Sequence, residues 1–190
     1  MAAAVEVVKK EAKVEEKEKP RRPAIKILVT GPYYSGKSTF VSALCREAVH
    51  VDELKTTVGL DFGYEEVGVF ELHLFGTPGH DRFAFLQEIL AVGSVGILLI
   101  VDSSFPETFI WALDILRRVR TDPNIPVVVV ANKQDLPGAL PPEDVKAEMG
   151  LPDDIPVVPC IATKGVGVVE AVRKLIEMIK ERDLTKQSGP

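Results

Sequence analysis

Six short apolar runs, rich in β-branched residues, alternate along the chain with segments of near-helical spacing. A glycine-containing turn joins the first run to the first helical segment, and one pair of runs is separated by a single turn. Together these predict an α/β fold of the doubly wound, three-layer α/β/α kind, with a six-stranded mixed sheet, its second strand antiparallel, and about five helices. Residues 24–30 read as a buried strand, and residues 37–49 as a helix, because Phe40, Val41, Leu44 and Val49 recur at near-helical spacing. Residues 61–67 and 69–75 read as strands joined at Gly68, a link too short for anything but antiparallel pairing. The continuous apolar runs 95–101 and 127–131 fit central parallel strands covered on both faces. Residues 105–120 and 165–182 read as helices, 142–149 as a short one, and 157–161 as the last strand.

With 190 residues there is room for one ordinary domain. A net charge of -5 gives no general pull toward nucleic acid or anionic membrane. Both cysteines, Cys45 and Cys160, lie inside apolar stretches, as reduced core thiols of a cytoplasmic protein would. No apolar run reaches the ~18 residues of a membrane helix. Nor does the chain carry a signal peptide, a myristoylation glycine or a prenylation cysteine, so no intrinsic membrane anchor is expected. Residues 1–23 are dense in Lys and Glu and closed by Pro20-Arg21-Arg22-Pro23. They are expected to be a charged flexible tail, with a docking arm that orders on a partner or on anionic lipid as the alternative. The domain is expected over 24–183, with 184–190 as a flexible C-terminus.

Gly31-Pro32-Tyr33-Tyr34-Ser35-Gly36-Lys37-Ser38 fits G-x-x-x-x-G-K-[ST], and Thr39 follows it. A strand runs in and a helix runs out, which is the context this phosphate-loop motif requires. Successive backbone N–H groups then point inward at a helix N-terminus, where phosphate oxygens are held. Gly36 has no side chain to block that approach. Lys37 would reach the β- and γ-phosphates, and the Ser38 hydroxyl would ligate Mg²⁺.

The base is a separate question, and Asn132-Lys133-Gln134-Asp135 addresses it, since it directly follows the predicted strand 127–131. Ligands of open α/β sheets bind at the carboxyl ends of the strands, which places this tetrapeptide on the rim of the phosphate loop. The Asp135 carboxylate can accept two hydrogen bonds from guanine, N1–H and the exocyclic amine. Adenine offers no such pair and would leave the carboxylate unpaired. The stem of Lys133 can cover the base, and Asn132 can tie the loop to the phosphate loop.

On these motifs, residues 24 to about 182 resemble the small GTPases of the Ras superfamily, in the TRAFAC class of P-loop GTPases. The resemblance implies GTP or GDP as ligand, Mg²⁺ as cofactor and regulatory proteins as partners. Thr57-Val58-Gly59-Leu60-Asp61-Phe62 is similar to the first switch of Rab and Arf proteins, a resemblance that implies Thr57 would ligate Mg²⁺ and sense the γ-phosphate. Cys160-Ile161-Ala162-Thr163-Lys164 falls where the family has Ser-Ala-Lys. The Ala162 backbone N–H would then contact the guanine carbonyl, with Thr163 and Lys164 beside it.

The second-switch position reads Leu74-Phe75-Gly76-Thr77-Pro78-Gly79-His80. Gly79 matches the family's Asp-x-x-Gly and its amide would hold the γ-phosphate. His80 sits where a glutamine orients the attacking water, as the histidine of translational GTPases does. The aspartate is replaced by Gly76, which weakens the expected metal site. Asp102 and Asp61 are the two candidates to replace it. Leu-Phe-Gly-Thr-Pro-Gly resembles a prokaryotic branch associated with roadblock-type partners. Tyr33 takes a position that is often glycine in the Ras branch, which implies slow intrinsic hydrolysis and an activator that approaches differently. Two other readings stay open beside a switch with catalytic His80, Lys37, Thr57 and Gly79. One is a nucleotide-holding pseudo-GTPase scaffold, and the other an ATPase or small-molecule kinase, which Asp135 disfavours. His50 and His73 lack metal-ligand spacing. Trp111 reads as a packing residue, and Arg117, Arg118 and Arg120 as a cationic helix end.

Overall fold

The computed structural model describes residues 22–45, 48–50, 61–67, 69–78 and 84–187. Its strands are β1 (Ala24–Thr30), β2 (Ala48–His50), β3 (Asp61–Val67), β4 (Phe70–Gly76), β5 (Gly96–Asp102), β6 (Val127–Asn132) and β7 (Val157–Pro159). Its helices are α1 (Lys37–Leu44), α2 (Ala84–Ala91), α3 (Phe109–Val119), α4 (Pro142–Glu148) and α5 (Val168–Gln187). The strands form one sheet in the order β2-β3-β4-β1-β5-β6-β7. From β4 to β7 neighbouring strands are parallel, and β3 runs antiparallel to β4. The six expected strands are all there, and β2 adds three residues at the sheet edge, pairing antiparallel with β3.

Side chains of alternate parity along β1 go to opposite faces, as the two-residue period of a strand demands. Ile27 and Val29 join Leu98, Ile100, Val128 and Val130 in a core closed by Phe40 and Val41 of α1 and Leu175 and Ile179 of α5. Leu28 joins Leu99, Val101, Val127 and Val129 on the other face, under Ala112 and Ile115 of α3 and Val145 of α4. β5 and β6 are therefore buried on both faces, which is why they read as unbroken apolar runs. Because the chain leaves β1 toward β4 on one side and returns to β5 on the other, the crevice at its carboxyl end is a topological switch point.

Five elements differ from the expected pattern. The last strand ends at Pro159 rather than 161, and the helix expected over 105–120 opens as a 3-10 turn at Pro106–Thr108 before α3 begins at Phe109. The first helix stops at Leu44 rather than 49, since Cys45 turns extended (φ -98°, ψ 130°) and Ala48–His50 goes to the sheet. α2 has no counterpart among the segments read from the sequence. α5 continues to Gln187, past the expected domain end at 183. Trp111 is 55% exposed on α3 and so is not the packing residue expected of it. Of the N-terminal segment, Arg22 pairs with Glu66 at 2.9 Å and the Pro23 carbonyl accepts from the Glu71 amide at 3.2 Å. The rest of 1–21 lies outside the described residues, as does Gly68.

Candidate functional site

The turn between β1 and α1 is shaped by two glycines with left-handed or strained backbone. Gly31 has φ 145° and packs so tightly on β5 that a Cβ would fall 2.1 Å from the Ile100 carbonyl oxygen. Gly36 is the N-cap of α1 at φ 98°, and a Cβ there would meet the Asn132 side chain at 2.3 Å. No side chain caps this helix and its first turn carries no acidic residue, so its N-terminal amides and dipole are left for an anion. Lys37 is buried, and its ammonium donates to the Pro32 carbonyl at 2.7 Å across the turn. Burial pushes its pKa down from 10.5 to about 8, with the nearby Asp61 carboxylate pulling the other way. The Ser35 hydroxyl is buried in the same turn with no hydrogen-bond partner. A buried cation and an uncapped helix end thus lie in one turn, and both suit an oxyanion; the Ser35 hydroxyl instead packs against Gly31 on the β5 side.

Asn132 ends β6 beside this turn and joins three loops. Its Nδ2 donates to the Ser35 carbonyl at 2.9 Å, and its Oδ1 accepts from the Ala162 amide at 3.0 Å. Lys133 adopts φ 65°, turning the chain so that Asp135 and Lys164 meet at 3.1 Å. Thr39, Asn132, Lys133, Asp135, Ala162 and Thr163 line a recess of about 170 Å³ at the end of the phosphate loop. The tie between Asn132 and the phosphate loop thus forms as expected. The Ala162 amide is instead spent on Asn132, so any contact of that N–H with a base carbonyl has to share or replace this bond.

A family model described as "ADP-ribosylation factor family" matches residues 11–179. The chain belongs to the ADP-ribosylation factor (Arf) family. It is similar to Ras-related protein Rab11D of Lotus japonicus, 32% identical over 130 residues, covering 64% of this chain and 59% of that protein. It is also similar to Ras-related protein Rab-32B of Dictyostelium discoideum, 29% identical over 122 residues, covering 58% and 46%. The chain thus spans about half the length of these curated relatives. Among solved structures, the Arl6 BBS3 small GTPase of Trypanosoma brucei, bound to the nucleotide analogue GppNp, superposes with a TM-score of 0.68. That match covers 84% of this chain and 99% of the other at 22% identity, a likeness of fold.

In this Arf-family chain, Ser35, Gly36 and Thr39 come together with Asn132, Lys133, Asp135, Ala162 and Thr163, and Lys164 joins them through Asp135; Gly31, Tyr34, Lys37 and Ser38 belong to the same turn and helix start. Thr57, Gly79 and His80 lie outside the described residues. Of the two candidate carboxylates, Asp102 is engaged by the base-side loop. Its Oδ2 pairs with Lys133 at 2.6 Å and its Oδ1 accepts from the Ser104 amide and hydroxyl. Asp61 accepts from the Ser38 hydroxyl at 2.6 Å. Arg118 and Arg120 are used structurally, Arg118 on Asp114 and Arg120 on the Ile125 and Pro123 carbonyls.

Three supporting residues escaped the sequence reading. Gln134 donates to the Ser103 hydroxyl and the Leu140 carbonyl, both at 2.8 Å, and so braces the base-side loop. Ser103 in turn donates to the Asn132 carbonyl. Gln87 is buried in α2 and donates to the Pro78 carbonyl at 2.7 Å, pinning the chain where it leaves β4. Gln134 lies inside the quoted tetrapeptide, but its bracing role, like those of Ser103 and Gln87, depends on partners that only the fold brings within reach.

Proposed function

We propose that this chain is a small GTP-binding switch that takes GTP or GDP with Mg²⁺ and hydrolyses GTP slowly. The observation that carries the reading is Asn132, which holds the oxyanion cradle at Ser35 and the recess at Ala162 in one rigid frame with Asp135. A phosphate chain at the uncapped end of α1 and a base in the recess fit that frame, and Asp135 selects guanine. Lys37 and Ser38 would hold the phosphates and Mg²⁺, and the ion would neutralise charge on the phosphate oxygens. Thr57 and the Gly79 amide would respond to the γ-phosphate, with His80 orienting water. Tyr33, 47% exposed with its ring centroid 3.9 Å from that of Tyr34, crowds the approach of an inserted arginine and supports slow turnover. The Leu74–Gly79 motif supports a roadblock-type partner, an exchange factor or an activator. The free, buried thiols of Cys45 and Cys160 support a cytoplasmic setting, and no described helix is long and apolar enough to cross a membrane.

Gly76 favours a second reading, a pseudo-GTPase that holds nucleotide as structure. Single-turnover GTP hydrolysis with and without Mg²⁺ separates the two. The switch is expected to release phosphate in a Mg²⁺-dependent single exponential that Thr57→Ala and His80→Ala slow. Absence of any phosphate release, with GTP bound, assigns the scaffold.

A further inference from the structure

We propose that Asp61, from β3, supplies the metal-site carboxylate that the chain lacks at Gly76. The inference rests on the nucleotide-binding reading above. Asp61 and Gly76 are direct partners in the antiparallel β3–β4 register, so a side chain on either reaches the same place beside the phosphate loop. The Asp61 side chain is buried there, with Oδ2 accepting at 2.6 Å from the hydroxyl of Ser38, the residue expected to ligate the ion. The two positions also exclude each other. A Cβ on residue 76 would fall 2.8 Å from the Asp61 Cβ and 3.2 Å from its Oδ2. Gly76 is therefore the space that Asp61 occupies, and the carboxylate has been delivered from the opposite strand.

Asp102 cannot compete, being held by Lys133 and Ser104. Among the described residues no group of three or more His, Cys, Asp or Glu could hold a metal alone. The ion would accordingly be shared between Ser38, Asp61 and the oxygens of a bound phosphate chain, with Asp61 orienting either the Ser38 hydroxyl or a metal-bound water.

The test follows release of fluorescently labelled GDP from the full chain while Mg²⁺ is titrated. Wild type is expected to release GDP more slowly as Mg²⁺ rises. Asp61→Asn, isosteric and still able to accept from Ser38, is expected to shift the Mg²⁺ midpoint upward by about 10- to 100-fold. Asp102→Asn is expected to weaken GDP binding and keep the wild-type midpoint. The exchange variant, Asp61→Gly with Gly76→Asp, is expected to recover most of the shift. An unmoved midpoint in Asp61→Asn, or an equal shift in Asp102→Asn, overturns the proposal. Where Asp61→Asn holds GDP too weakly to titrate, the exchange variant decides: recovery supports the proposal and no recovery overturns it. If wild type itself binds no GDP, the nucleotide reading falls first.

Discussion

Asn132 illustrates how much one side chain carries here. Asn132→Ala would orphan the Ser35 carbonyl and the Ala162 amide, each buried group costing about 1–3 kcal/mol. Urea melts of the unliganded protein are expected to show a loss above about 2 kcal/mol. Lys37 gives a pH signature. Its folded-state pKa of about 8 lies below the ordinary 10.5, so between those values the unfolded chain binds more protons and stability rises with pH. The full difference is worth about 3 kcal/mol. Melts in EDTA from neutral to about pH 10 are expected to show this rise in wild type and to lack it in Lys37→Met. At this scale the phosphate loop, Asn132, Lys133 and Asp135 were legible because each motif is contiguous and its chemistry is local. Gln134, Ser103 and Gln87 were not, because their partners are set by the fold.

The helices and strands divide along the same line. β5 and β6 were legible from their unbroken apolar runs, since both faces are buried. α1 was read too long because Val49 suits either a helix face or a strand, and only the pairing of Ala48–His50 with β3 decides between them. α2 was missed for a sharper reason: its pattern is inverted, with Gln87 fully buried and Phe85 and Ile89 exposed. The buried glutamine gives α2 its role, holding Pro78 where the chain leaves β4. Gln87→Ala removes that donor and is expected to cost about 1–3 kcal/mol in denaturant melts. It is also expected to speed amide exchange at Thr77, whose N–H bonds the Val29 carbonyl at the end of β1. Phe85→Ser, on the exposed face of the same helix, is expected to stay within about 0.5 kcal/mol of wild type.

Taken whole, the molecule is a sheet whose two apolar faces are closed by α1 and α5 on one side and α2, α3 and α4 on the other. The cysteines report on that closure. Cys45 and Cys160 are buried, and burial raises their thiols to about 11 and about 12, so neither offers a thiolate near neutral pH. A thiol reagent is expected to react with neither in the folded protein and with both once denaturant opens it. Reaction of either thiol under native conditions at the rate of a free cysteine contradicts the packing described. The three-layer order was legible from the alternation of elements; the cross-strand placement of Asp61 against Gly76 was not, since register emerges only when β3 and β4 pair.

The proposed switch stands on one arrangement, an oxyanion cradle joined to a guanine-selecting recess in a single site. Competition against fluorescently labelled GDP in Mg²⁺ tests it most directly. Unlabelled GTP is expected to displace the label at concentrations at least about a hundredfold below those needed of ATP, and Asp135→Ala is expected to erase most of that difference. Displacement by ATP and GTP at equal concentrations would contradict the account.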